Sequence, residues 1–109
     1  MDSKSINEDF FNKVYDIVER IPSGKVTTYG AIGKAIGMIS SARMVGWALN
    51  AVAGDSSLPC HRVVNRVGEL SGKMYFSTPH LMKELLISEG ITFKGDAVDM
   101  KKHFWEPTD

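Results

Sequence analysis

Apolar positions Phe10, Val14, Ile17, Val18 and Ile21 recur at three- and four-residue steps over residues 7–21, the period of a helix with one buried face, and Pro22 stops the run. The next residues, Pro22-Ser23-Gly24-Lys25, have turn chemistry and lead into Val26-Thr27-Thr28. Either threonine can cap a short helix carrying Ala31, Ile32, Ala35 and Ile36, which Gly37 closes. Ser40 or Ser41 then caps a third helix with Val45, Ala48, Leu49 and Val52 on one face. Helix, glycine-containing turn, helix is the helix-turn-helix pattern.

Beyond this the periodicity weakens. Asp55-Ser56-Ser57 is a polar loop, and Val63-Val64 and residues 67–70 flank Asn65-Arg66 as a short hairpin whose second arm Gly68 weakens. The stretch around Cys60 is therefore mostly loop. Thr78-Pro79 places a capping residue before a proline at the first helical position, and Leu81, Met82, Leu85 and Leu86 form an apolar stripe ending at Ser88-Glu89, before Gly90. Residues 91–109 mix Phe93, Val98, Met100, Phe104 and Trp105 with polar side chains, as in a tail that packs back on the body. The expected fold is mainly α (α+β): a winged helix-turn-helix-like single domain over residues 1–109, with a short hairpin near the loop that holds Cys60.

Composition narrows the setting. A chain of 109 residues with 43% hydrophobic content supports one core. No stretch approaches the roughly 18 apolar residues of a membrane helix, and Met1-Asp2-Ser3-Lys4-Ser5 lacks the order of a signal peptide, so a cytoplasmic monomer with no membrane partner is expected. With 13 basic and 13 acidic side chains the net charge is zero, and a nucleic-acid partner would have to be held by a local patch.

The chemistry gathers in Leu58-Pro59-Cys60-His61-Arg62-Val63-Val64. A single cysteine cannot close an internal disulfide, but a thiol beside an imidazole and a guanidinium has the usual means of becoming a nucleophilic thiolate. Adjacent residues do not face each other on a helix or a strand, so contact requires a turn or a bridging water, for which Pro59 supplies the irregular backbone. The competing reading is a buried cysteine acting as a small hydrophobe. One cysteine and three scattered histidines, His61, His80 and His103, do not make a four-ligand zinc site; neither metal nor organic cofactor is expected, and His80 and His103 are read as surface or packing residues.

The third helix carries Arg43, Trp47 and Asn50 on the side opposite its apolar face, a cation, an aromatic and an amide suited to nucleic acid. Gly46 costs that helix roughly 1 kcal/mol relative to alanine, yet permits close approach of a partner or of another helix.

On these residues the chain resembles the DNA-binding and active-site domain of the 6-O-alkylguanine-DNA alkyltransferases, whose active-site peptide reads Pro-Cys-His-Arg-Val, here Pro59 to Val63. The likeness extends through Ile21-Pro22-Ser23-Gly24-Lys25-Val26-Thr27-Thr28-Tyr29-Gly30 and Ala42-Arg43-Met44-Val45-Gly46-Trp47-Ala48 to Glu89-Gly90. It implies that Cys60 accepts the alkyl group, that His61 is its base through a water, and that Glu89 orients the histidine. It further implies that Arg43 enters the base stack in place of a flipped nucleotide while Tyr29 pushes on the adjoining phosphate. Gly46 and Trp47 would then lie against a minor groove, with Arg62 also on the DNA. The implied partner is double-stranded DNA containing 6-O-alkylguanine, with repair-pathway proteins beyond it.

The sequence also departs from that pattern. The family's separate N-terminal domain is absent, and the short length, Trp47 and Phe104-Trp105-Glu106-Pro107 look like the alkyltransferase-like proteins, which usually have tryptophan where Cys60 stands. The family's Tyr-Ser-Gly-Gly loop is represented by Leu70-Ser71-Gly72-Lys73-Met74-Tyr75-Phe76-Ser77, and ungapped counting puts its asparagine at Val52, two residues after Asn50. Retention of Cys60, His61 and Glu89 favours a single-turnover alkyltransferase; the alternatives are a non-enzymatic damage sensor that recruits other factors and a winged-helix regulator indifferent to alkylation.

Overall fold

The structure is a computed structural model that describes residues 3–38, 41–52, 57–76, 78 and 80–108, with the backbone alone for residues 3–7 and Tyr75. Met1, Asp2, Ser40, Asp55, Ser56, Ser77, Pro79 and Asp109, which enter the readings above, lie outside the described residues. The long helix α1 (Ser3–Arg20) buries Phe10, Val14, Ile17 and Val18, the stripe expected from the spacing. Each such side chain contributes about 1.5–3 kcal/mol when fully removed from water. Against them pack Ile32 from α2 (Tyr29–Ile36) and Val45, Ala48 and Leu49 from α3 (Ala42–Val52).

Both helices start and stop where local chemistry directs. Thr28 Oγ1 accepts from the Ala31 amide at 3.0 Å, so the second threonine is the cap, and α2 ends at Gly37. Ser41 acts differently from a side-chain cap: its carbonyl accepts the Val45 amide while its hydroxyl donates back to Met38 O. Gly33 makes this turn possible, because a Cβ there would overlap Ser41 Oγ and come within 3.2 Å of Met38 O. The tight α2–α3 pair is a helix-turn-helix.

Behind the helices, β1 (Thr27–Thr28) pairs in parallel with β2 (Val63–Val64), Thr27 opposite Val63 and Thr28 opposite Val64. Alternation along β2 turns Val63 into the helical cluster and Val64 into a second cluster with Val26, Met82, Leu86, Ile91 and Val98. The hairpin expected over 63–70 is not formed as a ladder. Asn65 instead closes a turn, its Oδ1 accepting the Val67 and Glu69 amides at 3.1 and 2.9 Å, and β2 takes β1 as its partner. The antiparallel hairpin lies further on, between β3 (Phe93–Lys94) and β4 (Ala97–Val98). Helix α4 (Leu81–Ser88) begins at Leu81, with the Leu81 amide donating to Thr78 O rather than to a threonine side chain. The tail packs back as expected: after α5 (Met100–His103), the Val26 amide donates to His103 O and the Trp105 amide to Val26 O.

Gly68 holds the turn to the hairpin. Its φ is +90°, the Val98 amide donates to its carbonyl at 2.9 Å, and a Cβ would come within 2.7 Å of Val98 O. Gly68→Ala is expected to cost on the order of 2–3 kcal/mol in urea unfolding, from the left-handed backbone and the clash together. A cost below about 1 kcal/mol would mean that the two segments can separate freely.

Candidate active site and nucleic-acid interface

Cys60, His61 and Arg62 form one turn of 3₁₀ helix immediately before β2. Pro59 sets it up: at φ −79° and ψ 63° it sits at the centre of an inverse γ-turn, with the Cys60 amide donating to Leu58 O at 2.8 Å. The Arg62 amide then donates to Pro59 O at 3.0 Å and the Val63 amide to Cys60 O. These turns are the irregular backbone that a proline before the cysteine leads one to expect. They send consecutive side chains in different directions.

Cys60 goes inward. It is 7% exposed within the helical cluster, and burial pushes its thiol up to about 11, opposed only in part by its own backbone amide. Tyr15 packs against the same cluster and donates from its hydroxyl to Ala48 O at 2.8 Å, tying α1 to α3. Its phenol is raised by burial and by the charge that Cys60 would carry.

His61 and Arg62 converge on Glu89, the residue that ends α4. His61 Nε2 lies 2.9 Å from Glu89 Oε2; Arg62 Nε donates to Oε1 at 2.9 Å and Nη2 to Oε2 at 2.7 Å. The third arm of the guanidinium, Nη1, donates to Ile21 O at 2.8 Å. Burial raises the Glu89 carboxyl, but the Arg62 and His61 hydrogen bonds outweigh it and hold the group down at about 2. An ionised carboxylate only accepts, so the proton of this contact sits on His61 Nε2, and in the neutral ring Nδ1 is the basic atom. The pairing also offsets the unfavourable placement of an anion at a helix C-terminus.

His61 and Arg62 also line a cleft of about 490 Å³ with Glu19, Leu58, Pro59 and Phe76. Cys60 is not part of its wall, and no hydrogen bond joins the thiol to His61. Among the described residues no group of three His, Cys, Asp or Glu side chains could hold a metal ion, and no helix is long and apolar enough to cross a membrane.

On α3, Arg43, Trp47 and Asn50 are exposed, Trp47 at 57%, on the face opposite the buried residues. Gly46 has nothing within 4 Å of an added Cβ, so no neighbouring helix requires it. Tyr29 opens α2, half-buried against the helical cluster. Arg62 belongs elsewhere than on this face. Grouped with the DNA contacts in sequence, it is turned inward, with three nitrogens committed to Glu89 and Ile21.

The sequence profile of the 6-O-methylguanine DNA methyltransferase DNA-binding domain matches residues 9–91. The chain belongs to this family. Alkyltransferase-like protein 1 of Schizosaccharomyces pombe is 36% identical over 92% of this chain and 97% of its own length. The DNA base-flipping protein of Escherichia coli is 38% identical over 95% of this chain and 81% of that protein. Within this alkyltransferase family the methylated-DNA–protein-cysteine methyltransferase of Methanosarcina acetivorans is 38% identical over 75% of this chain, which spans 51% of that protein. The fold agrees. S. pombe Atl1 in complex with damaged DNA containing O6-carboxymethylguanine superposes with a TM-score of 0.77 at 35% identity, over 92% of this chain and 97% of that one. Mycobacterium tuberculosis OGT in complex with DNA superposes with a TM-score of 0.65, also at 35% identity, over 74% of this chain and 49% of that one. The mainly helical domain with a few short strands is thus the DNA-binding domain fold of the alkyltransferase family.

Two features of the site had no signal in the sequence. Arg62 clamps Glu89 across 27 positions and Tyr15 bonds to Ala48 across 33, and neither separation has a local pattern.

Proposed function

We propose that this protein repairs alkylated DNA by moving the alkyl group from 6-O-alkylguanine to Cys60, once per molecule. The observation that carries the reading is the His61–Glu89 contact at 2.9 Å, built on the turn that also holds Cys60. Double-stranded DNA lies along the exposed face of α3. Arg43 fills the stack vacated by the flipped base, Tyr29 displaces its phosphate, and bare Gly46 lets the backbone come close. Chemistry on a base requires that extrusion.

In the transfer, His61 Nδ1 takes the Cys60 proton through a water, and the thiolate attacks the alkyl carbon opposite O6. The S–C bond forms as the C–O6 bond breaks, the electron pair leaves with the guanine, and the proton passes on to the purine. Glu89 stabilises the transient imidazolium, as the carboxylate does in other nucleophile–histidine pairs. The product thioether is a poor leaving group, so turnover ends there.

A second reading, a damage sensor that flips the base without chemistry, draws on the thiol itself, buried outside the cleft wall and held at about 11. Intact mass after incubation with a duplex containing 6-O-methylguanine separates the two. Transfer adds one methylene, about 14 Da, and Cys60→Ala adds nothing, because the thiolate is the acceptor. Unchanged mass with tighter binding to the methylated duplex would establish the sensor; unchanged mass with equal binding to methylated and plain duplex would overturn both.

A further inference from the structure

A neutral chain must bind DNA through local charge, and the outer face of α3 offers one cation, Arg43. A second concentration of charge lies where the carboxy-terminal tail meets β1. Thr28, Arg66, Met100, Lys101 and Phe104 line an open hollow of about 380 Å³. Its wall holds two cations and no acid, and Phe104, 37% exposed, contributes apolar surface with Met100. Among the described residues neither the Arg66 guanidinium nor the Lys101 ammonium has an ion-pair or hydrogen-bond partner. Unpaired cations framing an apolar hollow suit a sugar-phosphate chain, whose phosphates take the charges and whose sugars take the apolar wall.

The hollow is also in the right place. Thr28 caps α2 and Tyr29 is the next residue, so a phosphate held at Tyr29 lies beside it. The bridge between Val26 and Phe104 brings Lys101 to this end of β1, and the turn after β2 brings Arg66. We infer that the hollow is a second contact for the backbone of the same duplex, with Arg66 and Lys101 on phosphates and Phe104 against a sugar. The inference rests on the DNA reading above and extends its footprint from the helix-turn-helix to the tail.

The test is the salt dependence of binding to the methylated duplex and to its plain counterpart, by fluorescence anisotropy from about 50 to 300 mM salt, for wild type and for Arg66→Gln with Lys101→Gln. Each neutralised phosphate contributes roughly 0.9 to the slope of log K against log salt, so the variant slope should be shallower by about 1.8. Affinity for both duplexes should fall about 10- to 100-fold near 0.1 M salt and converge on wild type at higher salt. The charge-conserving pair, Arg66→Lys with Lys101→Arg, should keep the wild-type slope. A wild-type slope in the glutamine variant, whether or not its affinity drops, overturns the inference while leaving the DNA reading intact. Failure of wild type to bind either duplex overturns both.

Discussion

His61→Ala is expected to slow alkyl transfer to Cys60 by a factor of about 10² to 10⁴, the usual contribution of a positioned general base. The size follows from where the thiol stands. Held at about 11, it is almost entirely protonated at neutral pH, so transfer as proposed would need a base to take the proton. The pH profile carries the sharper signature. In the variant the rate should climb about tenfold per pH unit toward 11, because only pre-formed thiolate reacts, whereas with His61 in place the rise should be flatter. Single-turnover reactions followed by intact mass at several pH values give both curves. Alanine here leaves the Arg62–Glu89 pair in place, so the fold should persist. A loss below about threefold, or identical pH profiles, would remove His61 from the chemistry.

Arg62→Ala should be the most destabilising single change at the site, at about 2–3 kcal/mol. It deletes two hydrogen bonds to Glu89 and one to Ile21 O, and leaves a largely buried carboxylate at a helix C-terminus with His61 alone. Breaking a fully buried ion pair costs about 3–5 kcal/mol; here both side chains keep some contact with water, which lowers the figure. The pH dependence identifies the cause. Glu89 has a folded value near 2 against an ordinary 4.5, so its contribution to stability is complete above 4.5 and is lost as pH falls through 2. Without Arg62 the carboxyl moves back up, and the gap between wild type and variant should narrow steadily from pH 4.5 to pH 2. Thermal melts across that range would show it; a constant gap would mean that Arg62 acts through packing alone. Cys60 sets the opposite limb: its raised value favours the folded state fully below pH 9 and is lost as pH rises through 11.

Most of the helical frame and its polarity follows from local patterns along the chain. The stripe Phe10, Val14, Ile17, Val18 forces α1 to bury one face, Thr28 and Gly37 bound α2, and the buried set on α3 leaves Arg43, Trp47 and Asn50 outward. Those are local facts, because helical spacing and capping act within a few residues of each other. The Pro59-Cys60-His61 peptide was equally legible, since its residues are contiguous and Pro59 fixes the φ that the turn uses. The partner of His61 was not legible from pattern. A glutamate at the end of a helix has nothing local to mark it, and only resemblance to the family singled out Glu89.

What depends on long-range pairing is set by the packing of distant segments. Val63-Val64 has equal local reason to turn back on residues 67–70 or to join another strand. It pairs with Thr27–Thr28, because that ladder lets Val63 and Val64 serve two separate apolar clusters at once. Arg62 is grouped with the DNA contacts alongside the family resemblance. In the fold its fork matches both oxygens of Glu89 and the open carbonyl of Ile21, three acceptors that only chain closure brings together. Burial of the Cys60 thiol, and the meeting of Arg66 and Lys101 beside Thr28, are likewise decided by packing. Neither charge nor exposure is a property of a residue until its neighbours are known.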